Sequence, residues 1–198
     1  MTEWAIALMA QGGYAGIAAL MFLENVFPPI PSEIVMPIAG AAARRGELDF
    51  AMVVLAGAVG SVAGAVFWYL VGRRLGVDRL KRFADRRGRL LTLSPREIDA
   101  ADRWFDRHGG KAVFLGRLVP AVRTFISVPA GVAAMAPGPF LAWTTAGTAL
   151  WTALLADGGW LAAGAPEAVA DYFGPVSNVV VGGLLAYYVY RVVTFRRR

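Results

Sequence analysis

Hydrophobic and polar positions follow one another in blocks along this chain. An apolar stretch over residues 4–23, thinned by Gln11, Gly12 and Gly13, predicts a first helix. LENVFPPIPSEIVMPIAG follows, with Pro28, Pro29, Pro31 and Pro37 close together. Each interior proline removes a helical hydrogen bond and clashes with the preceding turn. With apolar flanks, 26–43 therefore predicts a re-entrant hairpin of short helix, proline-rich break and short helix. A polar turn, Arg44–Asp49, leads to Phe50–Gly72, 23 residues without a charge. That run is long enough to span a hydrocarbon core of ~30 Å. Gly57, Gly60 and Gly64 put small residues on neighbouring turns, and Gly60/Gly64 form a GxxxG pair suited to close helix packing within the chain or in a homodimer. Trp68 and Tyr69 fall near the end, where aromatic side chains favour an interface.

Residues 73–111 read as a polar, basic loop. Within it SPREIDAADRWFDRHGG has Ser94, Pro95 and Glu97 in a capping-box pattern, and Ile98, Ala101, Trp104 or Phe105, and His108 at helical spacing. This predicts an interfacial amphipathic helix ended by Gly109–Gly110, with His108 at its apolar edge. A second apolar segment, 112–136, is broken by Pro120, Pro129 and Gly131 and reads as a second re-entrant element. Transmembrane helices are expected over 140–163 and 174–193, separated by the acidic loop GAPEAVADYFG.

Composition agrees with the blocks. Of 198 residues 57% are hydrophobic and 17% charged, below the quarter usual for a soluble domain. Without cysteine there is no disulfide, thiolate nucleophile or cysteine metal site, and His108 alone cannot build a histidine one. A net charge of +6 could suggest nucleic acid, but twelve of the twenty basic residues lie between Arg73 and Lys111 and four more at the C-terminus. That clustering is an orientation signal, placing both regions on the cytoplasmic side. Both termini are then inside, the first hairpin enters from outside and the second from inside. MTEWAIALMAQGGYAG lacks a basic start, which predicts a retained helix and not a cleaved signal peptide. The expected class is an all-α polytopic membrane protein, one domain over 1–198. It has two inverted re-entrant hairpins, each followed by a transmembrane helix, plus N- and C-terminal transmembrane helices and the amphipathic helix.

An offset of 92 residues lays FLENVFPPIPSEIVMPIAGAAA over FLGRLVPAVRTFISVPAGVAAM without a gap, with Pro28/Pro120 and Pro37/Pro129 in register. Broken apolar segments at matching positions of two halves point to a transporter's midplane site. The copies differ in charge: the first carries Glu24 and Glu33, the second Arg117 and Arg123, which are the only charges from Ala112 to Ala156. If the tips meet, two carboxylates face two guanidiniums and each offsets the other's desolvation.

ENVFPPIPSE, GSVAGAVFWYLVGRRLG and FLGRLVPAVRTFISVPAGVAAM together resemble the DedA family, also called SNARE-associated or VTT-domain membrane proteins, from about Glu24 to Gly164. The resemblance implies a lipid translocase fold with two opposed re-entrant segments in a bacterial cytoplasmic membrane. It also implies a lipid substrate such as undecaprenyl phosphate or a phospholipid, and dependence on the proton motive force. Glu24 and Glu33 match the family's acidic positions, and Arg117 and Arg123 its arginine pair.

Two readings of these four residues stand side by side. The arginines are either a structural clamp or a phosphate site, since guanidinium forks match phosphate oxygens. The glutamates either complete that clamp or carry protons, because burial raises a carboxyl pKa while a neighbouring arginine lowers it. Asp157, beside Gly158, Gly159 and Trp160, is a secondary candidate and otherwise an interfacial residue. The expected function is translocation of a phosphate-headgroup lipid, undecaprenyl phosphate foremost, without a cofactor or metal. A phospholipid translocase or scramblase is the close alternative. A proton-coupled antiporter uses the same carboxylates without a lipid, and a lipid phosphatase lacks the usual histidines and nucleophile.

Overall fold

The computed structural model describes residues 2–27, 32–91 and 95–164. The prolines at 28, 29 and 31 and the expected helix over 174–193 lie outside the described residues. All regular elements among those described are helical: α1 (Thr2–Val26), α2 (Ser32–Arg44), α3 (Phe50–Leu91), α4 (Pro95–Arg117), α5 (Pro120–Arg123), α6 (Ser127–Val132) and α7 (Pro137–Leu161), closed by a 3-10 turn at Ala162–Gly164.

Proline accompanies both helix breaks, but a proline does not break every helix that contains one. The first apolar segment runs on to Val26, with one kink at Gly13 (φ 50°). The 26–43 stretch thus supplies one helix, α2, instead of two short arms, and its partner across the break is α1. A lone Pro37 is kept inside α2, where it is buried. There the backbone of α7 comes so close that a Cβ at Gly159 would sit 1.9 Å from the Pro37 carbonyl oxygen. In the second half Pro120 opens α5 at its first turn, the position where a missing N–H costs least.

Two sequence boundaries move. The helix begun at Phe50 does not give way to a loop at residue 73; α3 continues for 42 residues to Leu91, with Gly76 (φ 65°) as its one left-handed position. Arginine and lysine are good helix formers, so the change from apolar to basic sequence does not end the helix. Helix α4 likewise passes through Gly109–Gly110 to Arg117. A Cβ at Gly110 would lie 2.2 Å from the Trp143 indole nitrogen, so that glycine serves close packing, not termination.

Packing exchanges partners between the halves. Helix α1 packs on α3 and α4 on α7, while α2 crosses to α7 and α6 crosses to α3. Glycines set both crossings: Gly40 and Gly159 admit α2 against α7, and Gly72 and Gly131 admit α6 against α3. The GxxxG pair is used inside the chain, with Gly60 on the Ala18 carbonyl and Gly64 on Asn25.

Two apolar clusters result. Ile17, Leu20, Met21, Val35, Met36, Val53 and Leu155 form one. Ala65, Tyr69, Phe105, Val113, Ala130 and Phe140 form the other. Tyr69, expected at an interface, is buried in the second cluster: it stacks on Phe140 at 4.3 Å and its hydroxyl donates to the Met135 carbonyl at 2.5 Å. Large apolar side chains are exposed along α3 (Leu55, Val59, Phe67, Leu70) and α7 (Leu141, Leu150, Leu154). Such exposed apolar faces suit lipid and not water. Among the described residues one segment, Phe50–Leu80, is by length and composition apolar enough to cross a membrane.

Candidate functional site

Chain order along three helices places a polar layer between the two apolar clusters. On α1, Glu24 and Asn25 follow Met21. On α3, Ser61 lies between Val53 and Ala65. On α7, Thr144, Thr148 and Thr152 lie between Phe140 and Leu155. All are buried. The two helix breaks complete the layer with Glu33 from the first turn of α2, Arg117 from the last turn of α4, Arg123 from the end of α5 and Ser127 from the start of α6.

The four charged residues singled out in the sequence come together, but not as two matched pairs. Both carboxylates converge on Arg123: its Nη2 donates to Glu24 Oε1 and lies 3.5 Å from Glu33 Oε1. Its guanidinium also lies over the Trp151 ring, 5.6 Å from the centroid. Arg123 is 6% and Glu24 4% exposed, so the pair is desolvated and held by close contact.

Arg117 is placed differently. It is 2% exposed, and its Nη2 donates to the Ser127 hydroxyl at 2.6 Å. Gly147 makes room for it, since a Cβ there would meet Arg117 Cβ at 2.8 Å. Among the described residues no carboxylate lies within ion-pair distance of it, and its Nε has no hydrogen-bond partner. The Asn25 amide oxygen, the Thr144 and Thr148 hydroxyls and the Trp151 indole N–H are buried without a partner there as well. Buried polar groups are normally paired with protein or water, yet several unmet ones gather around this guanidinium. A cavity of about 10 Å³ opens among Asn25, Ser61, Arg117, Arg123, Thr148 and Trp151. That volume holds about one water molecule, and a phosphate enters only if the helix breaks separate.

Asp157 does not join this layer. It is exposed on α7 beyond Ala156, on the far side of the first apolar cluster. His108 is exposed too, its ring 5.5 Å from that of Trp104. Sequence reasoning passed over Asn25, Ser127, Trp151 and the three threonines. Two signals were available: Thr144, Thr148 and Thr152 recur every four residues on one helix face, and Asn25 is the residue opposite Arg117 at the 92-residue offset.

Residues 29–161 match the VTT domain. An alkaline phosphatase-like protein of Lactococcus lactis is 38% identical over 199 residues, covering 100% of this chain and 93% of that protein. Undecaprenyl phosphate transporter A of Staphylococcus aureus is 35% identical over 143 residues, 72% of this chain and 70% of its own length. Protein DedA of Escherichia coli is 30% identical over 161 residues, 77% and 71%. No solved structure matches. With a domain match over most of its length and relatives of this similarity, the chain belongs to the VTT-domain, or DedA, family of membrane proteins.

Proposed function

We propose that this protein translocates a phosphate-headgroup lipid, undecaprenyl phosphate foremost, across a bacterial cytoplasmic membrane. The observation that carries the reading is Arg117, a buried guanidinium in a polar layer with an open Nε and, among the described residues, no carboxylate within ion-pair distance. Intramembrane arginines mark substrate pathways by default, and a guanidinium fork suits phosphate oxygens. The choice of lipid is supported by two relatives named undecaprenyl phosphate transporter A.

In this reading the two halves are inverted re-entrant hairpins within one domain spanning 1–198, with both termini on the cytoplasmic side. The structure is its occluded state, with Glu24 and Glu33 holding Arg123. A proton on either carboxylate weakens that hold and frees Arg123 to join Arg117 around the headgroup, while the lipid tail stays in the bilayer. Movement of the headgroup past the threonines of α7 and return of the carboxylates to Arg123 complete the cycle.

Headgroup flipping in proteoliposomes tests this. Undecaprenyl phosphate and a fluorescent phospholipid are compared with and without an imposed pH gradient, for wild type and Arg117→Ala/Arg123→Ala, with released phosphate measured in parallel. Gradient-sensitive flipping of undecaprenyl phosphate that is lost in the variant supports the reading. Equal movement of both lipids without a gradient makes the protein a scramblase. Absence of lipid movement turns the reading to a proton-coupled antiporter, and phosphate release to a hydrolase.

A further inference from the structure

A second cavity lies away from the charged layer. About 500 Å³ in volume, it opens at the junction of α4 with the α6–α7 connection. Arg107, His108 and Lys111 line it from one stretch of α4, and no carboxylate is among its described lining residues. Its other side is apolar, formed by Phe105, Met135 and the Trp143 ring. The size is that of a small-molecule site. The pairing of a cationic edge with an apolar wall selects an amphiphile whose head is an anion. Phosphate groups fit this edge because arginine and lysine together supply forked and point-charge donors.

The cavity shares a helix seam with Arg117. Gly110 lets Trp143 lie against α4, Phe114 meets that indole edge-on at 5.9 Å, and one turn further along α7 Gly147 accommodates Arg117. Six residues of helix, about 9 Å of rise, separate Lys111 from Arg117. The rim also contains Ala134, the single described non-glycine residue with positive φ (50°). Its left-handed backbone ends α6, with the Ala134 N–H donating to the Gly131 carbonyl and the Met135 N–H to the Ala130 carbonyl.

We infer that this cavity is a docking vestibule for a phosphate-bearing lipid, which binds Arg107, His108 and Lys111 before its headgroup moves along the α4–α7 seam to Arg117. The identity of the lipid rests on the proposed function; the existence of the vestibule does not. It engages the phosphate by charge and the first isoprenoid units by contact with Phe105, Met135 and Trp143. Free phosphate satisfies only the first of these.

Binding of farnesyl phosphate and of inorganic phosphate to the full-length protein in neutral detergent tests the inference, with calorimetry as the readout and a photoreactive farnesyl phosphate to map contacts by mass spectrometry. The expected result is labelling of peptides containing residues 105–111 and 133–143. Binding of farnesyl phosphate should weaken about tenfold or more in Arg107→Gln/Lys111→Gln, as for loss of charge-assisted hydrogen bonds. Both residues are exposed, and an unchanged melting temperature verifies folding. Unchanged binding in this variant, or labelling elsewhere, overturns the vestibule and leaves the Arg117 reading standing. Equal affinity for inorganic phosphate overturns the lipid assignment in favour of a free anion. Vestibule labelling in a protein that flips no lipid sustains the site and removes the proposed function instead.

Discussion

The two helix breaks are built alike and charged oppositely. Each follows a long helix, carries proline in its sequence and precedes a shorter helix that packs on the other half, where glycines admit it. The first break contributes Glu24 and Glu33, the second Arg117 and Arg123. Yet the charges do not pair one to one, because both carboxylates settle on Arg123. One half thus neutralises half of the other, leaving Arg117 with a hydroxyl partner and an open Nε. Two similar breaks thus hold one arginine in an ion pair and one bound to a hydroxyl.

Arginine-to-methionine substitutions, which nearly preserve volume, break this comparison most directly. Arg123→Met takes the cation from the buried Glu24 and the partly buried Glu33 and is expected to cost about 3–5 kcal/mol, read as a large loss of thermal stability in detergent. Arg117→Met gives up the Ser127 bond but also a desolvated, unpaired charge. Its stability should stay within about 1 kcal/mol of wild type, while lipid flipping falls to background. Equal destabilisation by both would show that Arg117 is as much a clamp as Arg123. The carboxylates grade in the same way: Glu24→Gln should destabilise more than Glu33→Gln, because Glu24 is the closer and more deeply buried partner.

A smaller effect probes the scaffold alone. Gly159→Ala and Gly131→Ala press a methyl group onto backbone oxygens, at Pro37 and Tyr69 respectively, and each should cost about 1–3 kcal/mol. Gly158→Ala, next to the first of these on the same helix, meets nothing within 4 Å and should stabilise by up to about 1 kcal/mol through helix propensity. Similar losses at 159 and 131 would establish that the two crossings are energetically equivalent. A loss at one alone would mean that a single half carries the fold.

The four charged residues were legible in the sequence because a charge inside an apolar run is costly and therefore conspicuous. Prolines likewise announced both breaks. How the charges divide was not legible: the choice between Arg117 and Arg123 depends on where α5 turns, which four residues of sequence do not encode by pattern. Asn25, Ser127 and the α7 threonines were hidden because uncharged polar residues sit on helices of every kind, and burial alone distinguishes these. The ends of α3 and α4 were misread for a related reason. Basic residues mark the membrane boundary, and glycine pairs suggest stops, but neither breaks a helix that has packing partners, as Gly110 has in Trp143.

The least effect is expected from the same chemistry moved to the surface. In the turn between α2 and α3, Arg45 donates to both carboxylate oxygens of Glu47, at 2.6 and 3.2 Å, in full contact with solvent. These hydrogen bonds hold the Glu47 carboxyl below its usual range. A depressed folded-state pKa stabilises above the ordinary carboxylate value of about 4.3 and is lost as pH falls through the folded value. Exposed pairs contribute little, because water and salt screen them and two flexible side chains must be held still. Glu47→Gln should therefore leave the melting temperature unchanged at neutral pH, and its acid unfolding curve should overlay that of wild type. The ion pair joins the same two groups as Glu24–Arg123 and is better forked, and the main difference between them is burial. A Glu47→Gln loss as large as that of Glu24→Gln would mean that desolvation is not what gives the inner layer its weight.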